Sequence, residues 1–158
     1  RKGINELLIV LKELLDSFEF KFHFISPIPE NKQVVSDQIF YHGLIKDEEV
    51  IKGILKKSDI IVVPSYSEGM PTVILEAMAS GCAVIATDVG AVGEQVDSSN
   101  GWIISPRDIA LLKSTMVDAM RLPEKELFKK KNSSIQRIID KFLWDKVIAK
   151  TVKNVTRY

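Results

Sequence analysis

From Gly3 onward, apolar residues Ile4, Leu7, Leu8, Leu11, Leu14 and Leu15 recur three and four positions apart. Lys12, Glu13 and Asp16 fall on the opposite side, so the spacing predicts an amphipathic helix. FKFHFI (20–25) then alternates with a period of two and reads as a strand. Pro27 and Pro29 mark a loop, and a second short strand, QIFYH (38–42), stops at Gly43. DEEVIKGILKKS (47–58) predicts a helix capped by Asp47. Its carboxylates sit in the first turn and its lysines in the last, as the helix dipole favours.

The second half of the chain changes character. DIIVVP (59–64) is a continuous apolar run closed by proline, the pattern of a parallel strand buried on both faces. CAVIAT (82–87) and GWIISP (101–106) predict two more strands. Between the first two, a helix is expected from about Pro71 to Gly81. Another is expected over Asp108–Met120, and the lysine-rich segment from Pro123 to the end reads as helical throughout. The strand–helix–strand rhythm predicts an α/β fold, a doubly wound, mostly parallel, Rossmann-like sheet with helices on both faces. Such a sheet normally opens with a strand feeding the first helix. That strand is missing here and the first residue is Arg1, so the chain is expected to be a piece of a longer protein.

Length and composition narrow the field. At 158 residues, one domain (1–158) is expected rather than two. A formal net charge of +1 gives no electrostatic case for nucleic acid as a partner. No segment approaches the ~20 apolar residues of a membrane span, and no signal-peptide pattern opens the chain. The single cysteine, Cys82, precludes an internal disulfide, fits a reducing compartment and reads as a small buried residue.

Candidate chemistry concentrates in PSYSEGMPTVILEAMASG (64–81). Ligands of doubly wound sheets bind outside the C-terminal ends of the strands, and the loop Ser65–Met70 leaves a buried strand at that edge. Gly69 permits close backbone approach, and Pro71 suits the first helical turn. The free N–H groups of Thr72 and Val73, with the helix dipole, make an anion site suited to phosphate. Glu76 lies on the same helix face as Thr72, four residues earlier. Helical rise sets Glu68 and Glu76 on the order of 10 Å apart. Glycosidase carboxylates work across about 5–9.5 Å. The spacing does not exclude such a pair, but it better suits two grips on hydroxyl-rich ends of one extended ligand. The plainer alternative, a carboxylate before a helix and a surface glutamate within it, stays open on chemistry alone.

Histidines and metals add little. His23 in its alternating strand reads as structural, and His42 stands beside Gly43. No His, Cys or Asp cluster has metal-ligand spacing. No G-x-G-x-x-G follows a strand, which weakens a dinucleotide-dependent oxidoreductase. The lysine-rich PEKELFKKK (123–131) reads first as a solvated helix face.

EGMPTVILE, with seven residues between Glu68 and Glu76, closely resembles the C-terminal donor-binding domain of retaining nucleotide-sugar glycosyltransferases of the GT-B fold, glycosyltransferase family 4 in particular. The surrounding PSYSEGMP, EAMASG and VIATDVG are similar to that family, as are Glu94 in GAVGEQV, NGWIISPRD, FLWDKV and the opening RKGI. Ala83, where proline is usual, and Ala91, where glycine is usual, depart from it.

The resemblance implies that Glu68 lies against donor-sugar hydroxyls as a positioner rather than a base. Gly69, Met70 and Pro71 would surround sugar and phosphate, and Thr72 and Val73 would approach the diphosphate. Lys2 would neutralise that diphosphate, Glu76 would grip the ribose diol, and Gly43, Leu44 and Ile45 would border the nucleobase. It further implies a nucleotide-sugar donor, no cofactor and no metal. A sugar or lipid-linked acceptor would be held by an N-terminal domain, toward which the helix at 142–158 packs. The implied enzyme is cytoplasmic, with peripheral association at the inner membrane face left open. The fragment alone is expected to transfer little or no sugar. The rival reading is a non-catalytic sugar-nucleotide-binding or regulatory α/β module acting through PEKELFKKK (123–131).

Overall fold

The computed structural model describes residues 2–155. The expected helix after Gly3 forms as α1, Ile4–Leu14, and buries Leu7, Leu8, Val10, Leu11 and Leu14. Each such burial contributes roughly 1.5–3 kcal/mol. Strands β1 (Phe22–Phe24) and β2 (Ile39–Tyr41) pair in parallel, with His23 opposite Phe40. Both are shorter than their apolar patterns. After a 3-10 turn at Glu30–Lys32 and β2, helix α2 (Glu48–Lys57) starts where Asp47 accepts a hydrogen bond from the Glu49 N–H at 2.9 Å.

The second sheet is β3 (Ile60–Val63), β4 (Ala83–Thr87) and β5 (Gly101–Ile104), all parallel and in that order. Ile60 faces Ala83 in one ladder, and Val84 faces Gly101 in the next. Connections run through α3 (Thr72–Ala79) and the short α4 (Val92–Gln95). α5 (Ile109–Arg121) follows, begun by Asp108, whose carboxylate accepts from the Leu111 N–H at 2.8 Å. A cap of this kind contributes about 1 kcal/mol.

Strand alternation splits the core into two faces. Ile60, Val62, Ile85 and Ile104 join α1 and α5 in one cluster. Ile61, Val63, Val84 and Ala86 face the other way, against Ile74 and Met78 of α3. Helices therefore cover both faces, as expected. The sheet is divided, however: β1–β2 and β3–β4–β5 are separate ladders. β1 and β3 each have one edge with no strand paired to it among the described residues, and the two ladders share the apolar cluster under α1.

The C-terminal segment is not one helix. α6 (Glu124–Arg137) passes into a π-helical turn, Ile138–Phe142, and Leu143 turns extended before α7 (Trp144–Val155). The lysines of 123–131 are not simply a solvated face. Lys131 pairs with Asp59 at 2.7 Å, and Lys130 donates to the Ser98 carbonyl at 2.6 Å while lying over the Trp102 ring. Cys82 is buried, as expected, and its thiol hydrogen-bonds the Leu55 carbonyl; burial pushes its pKa up to about 11. No helix among the described residues is long and apolar enough to cross a membrane.

Arg137 fastens the end of α6 to Asp97 through a charged hydrogen bond. Hydrogen bonds from Ser99, with Arg137 beside it, hold the Asp97 carboxyl down at about 2, below its ordinary 3.8. A depressed carboxylate stabilises the fold above its unfolded pKa, and that stabilisation is lost as pH falls through the folded value. Thermal denaturation between pH 5 and pH 2 checks this. Asp97→Asn should lower Tm at pH 5 and reduce the part of the Tm loss that falls between pH 4 and pH 2.

Candidate functional site

The loop from Pro64 to Met70 leaves the C-terminal end of β3 and is held by three neighbouring elements. The start of α1 comes first. Gly3 has φ +66°, and a Cβ there would lie 1.9 Å from the Pro64 carbonyl oxygen, so only a glycine lets the helix begin this close. That contact delivers Lys2 to the loop, where its Nζ lies 2.6 Å from Glu68 Oε1. The Glu68 side chain is 11% exposed against 61% for Lys2, so the carboxylate is largely enclosed and the ammonium faces solvent.

The second hold is the end of β4, where the Thr87 hydroxyl donates to the Ser65 carbonyl. The third is the turn after β4. Ala91 N–H donates to the Gly69 carbonyl at 2.7 Å. A Cβ on Gly90, at φ +57°, would lie 2.2 Å from the Glu68 oxygen and 2.3 Å from that of Gly69.

Helix α3 then starts one residue later than expected. Pro71, at ψ 110°, is its N-cap rather than its first helical residue, because its carbonyl must turn to accept the Ile74 N–H at 3.2 Å. The same carbonyl accepts from Nε2 of the fully buried Gln95, also at 3.2 Å. No side chain caps the helix. The N–H groups of Thr72 and Val73 precede its first closed turn and have no acceptor within it, which leaves a partial positive charge there. Thr72 and Glu76 are both exposed on one face, and Gly69, Met70 and Val73 are exposed beside them. Ile74 and Met78, fully buried, anchor the opposite face. An ammonium, open N–H donors and two carboxylates therefore occupy one short stretch. That set suits a ligand carrying both phosphate and vicinal hydroxyls.

Gly43, Leu44 and Ile45 follow β2 in the other sheet. Gly43 is at φ +66°, and Leu44 is 73% exposed. Just before them, His42 Nε2 lies 2.9 Å from His23 Nδ1 with the rings stacked. Burial, then the neighbouring His42 and Lys21, lowers the His23 pKa. Among the described residues no group of three or more His, Cys, Asp or Glu is placed to hold a metal ion.

Sequence reasoning missed Thr87, Gly90 and Gln95. Only Gln95 left a signal: it is a polar residue at the buried spacing of Val92 and Val96.

The family model described as Glycosyl transferases group 1 matches residues 1–121. The chain belongs to this family. It is 35% identical over 111 residues to a putative teichuronic acid biosynthesis glycosyltransferase of Bacillus subtilis, covering 70% of this chain and 28% of that protein. It is 26% identical over 161 residues to the MMP α-(1→4)-mannosyltransferase of Mycolicibacterium hassiacum, covering 96% of this chain and 39% of that one. The chain thus spans well under half the length of these relatives.

Among solved structures, sucrose-phosphate synthase from Thermosynechococcus elongatus superposes with a TM-score of 0.77 at 23% identity, covering 99% of this chain and 42% of its own. The C-terminal domain of a glycosyl transferase group 1 protein from Francisella tularensis gives 0.77 at 26% identity, covering 90% and 80%. The fold of this glycosyltransferase domain is therefore that of the C-terminal, Rossmann-like half of a GT-B enzyme.

The Gly90 contact makes a sharp test. Gly90→Ala should cost at least about 1–2 kcal/mol from the left-handed backbone alone, and more from the collision with the loop carbonyls. Gly93→Ala is the control, since nothing lies within 4 Å of its Cβ position and its φ is not positive. Urea denaturation should separate the two, with Gly93→Ala at or above the unsubstituted chain.

Proposed function

We propose that this chain is the donor-binding half of a retaining glycosyltransferase. The full protein would move a hexosyl group from a nucleoside-diphosphate sugar to a sugar or lipid-linked acceptor. The observation that carries the reading is the Lys2–Glu68 ion pair set beside the open N-terminus of α3. In a nucleotide sugar the anomeric carbon and the diphosphate are adjacent, so the groups that recognise them must be adjacent too. A carboxylate for sugar hydroxyls touching an ammonium for phosphate meets that condition, and the Thr72 and Val73 N–H donors extend the phosphate site. Exposed Glu76, one turn along, then reaches the ribose diol, with Gly43, Leu44 and Ile45 bordering the base.

The chemistry follows from the charges. The bond between C1 and the phosphate oxygen breaks, and its electron pair leaves with the diphosphate. Lys2 and the helix N-terminus stabilise that developing charge without moving, which is where preorganised electrostatics acts most strongly. The acceptor hydroxyl bonds to C1 on the face the phosphate leaves, and its proton passes to the departing phosphate oxygen. Glu68 orients the sugar and takes no proton. This chemistry calls on no metal ion, because the Lys2 ammonium and the N-terminus of α3 supply the positive charge. Relatives named for mannosyl transfer and for teichuronic acid biosynthesis support a hexosyl donor and a polysaccharide product.

Titration calorimetry against a panel of uridine- and guanosine-diphosphate hexoses, with the full-length protein, tests the reading. Saturable binding to one of them is expected. Glu76→Ala should weaken it about 10- to 100-fold, the effect of losing charge-assisted hydrogen bonds to a diol. Binding of no donor by the unsubstituted protein, or equal binding by the variant, would contradict it.

A further inference from the structure

The main-chain holds on the loop after β3 act at Pro64, Ser65 and Gly69. Between them, the Tyr66 side chain is approached from the turn after β5 and again from α1. Arg107, in the turn between β5 and α5, places its guanidinium 5.0 Å from the centre of the Tyr66 ring. Glu6, in the first turn of α1, lines the same crevice as Tyr66, and its closeness to the hydroxyl lowers the carboxyl pKa and raises that of the phenol. All three residues line one narrow crevice with Pro64, Thr87 and Asp108.

Arg107 stands at φ +67° and is the one described residue other than glycine in the left-handed region. That backbone is disfavoured for any residue with a Cβ and free for glycine. A disfavoured residue here makes sense if its side chain does something a glycine could not. Its cation lies over the ring two positions before Glu68.

We infer that Glu6, Tyr66 and Arg107 form a clamp that positions the loop carrying Glu68, with Arg107 acting on donor affinity through Tyr66. The inference rests on the donor-binding reading above. Arg107 need not touch the donor. It restricts the loop to the arrangement in which Glu68 meets Lys2, so the donor does not have to order the loop on binding. Loss of the clamp should weaken donor binding and leave the chemical step intact.

Three variants separate the clamp from a merely structural role. Arg107→Gly removes the cation and relaxes the backbone. Arg107→Lys keeps a cation over the ring. Tyr66→Phe keeps the ring and drops the hydroxyl. In the full-length enzyme, with the donor that the unsubstituted protein uses, Arg107→Gly should raise KM for donor about three- to tenfold. Its kcat should stay within about twofold, and its Tm should be equal or higher, since backbone strain is relieved. Arg107→Lys should recover part of the affinity, and Tyr66→Phe should show a smaller rise in KM. An unchanged KM in Arg107→Gly, or a rise accompanied by a matching fall in Tm, overturns the clamp.

A readout without donor keeps the two claims apart. In the 158-residue chain, Arg107→Gly should shift or broaden the amide NMR signals of Glu68 and Gly69. Unmoved signals overturn the clamp whatever the donor is, whereas failure of the unsubstituted enzyme to use any donor contradicts the donor reading instead.

Discussion

Two places where backbone packs directly on backbone govern the functional edge of this domain. At one, Gly3 lies against the Pro64 carbonyl; at the other, Gly90 lies against the carbonyls of Glu68 and Gly69. Neither has room for a Cβ, and both glycines sit at positive φ. The loop after β3 is thereby pinned between the start of the first helix and the turn after β4. Lys2 meets Glu68 because Gly3 allows α1 to start there. The short run KGI (2–4) and the distant DVGAV are thus two sides of one vise.

What the vise holds is an electrostatic arrangement on a rigid base. Ile74 and Met78 seat α3 on the sheet with no exposure, so its N-terminus cannot drift relative to the loop. Buried Gln95 engages the Pro71 carbonyl from below, and its Nε2 bond complements the turn that frees the Thr72 and Val73 N–H groups. The polar groups at the surface are few, but each is aimed by something buried. In the proposed reaction these charges would act where leaving-group charge develops, and would cost no rearrangement at that moment.

Local pattern made much of this legible. The helical spacing of Ile4 to Leu14 and the proline-bounded run before Ser65 are dictated by neighbours in sequence, so they could be read directly. The placement of Glu68 before α3 and of Glu76 within it was equally local. The parts that were not legible depend on long-range approach. Gly90 looks like any turn glycine until Glu68 is placed against it. Thr87 looks like the last residue of a strand until the Ser65 carbonyl arrives. Pro71 proves to be the N-cap of a helix expected from about that residue, since sequence pattern marks a helix start only to within a residue or two. The tail read as continuous helix because no proline or glycine interrupts it. Its π-helical turn at Ile138–Phe142 follows the point where Arg137 is drawn to Asp97, a partner forty residues away.

In the proposed reading, the open N-terminus of α3, with Lys2 beside it, receives the diphosphate of a nucleotide. Amide-resolved NMR of the isotopically labelled chain, titrated with uridine diphosphate and then guanosine diphosphate, tests this most directly. Saturable shifts are expected with one of them, largest at Thr72, Val73 and Gly69. Shifts confined to the lysines of α6, or none at these amides with either nucleotide, would contradict it.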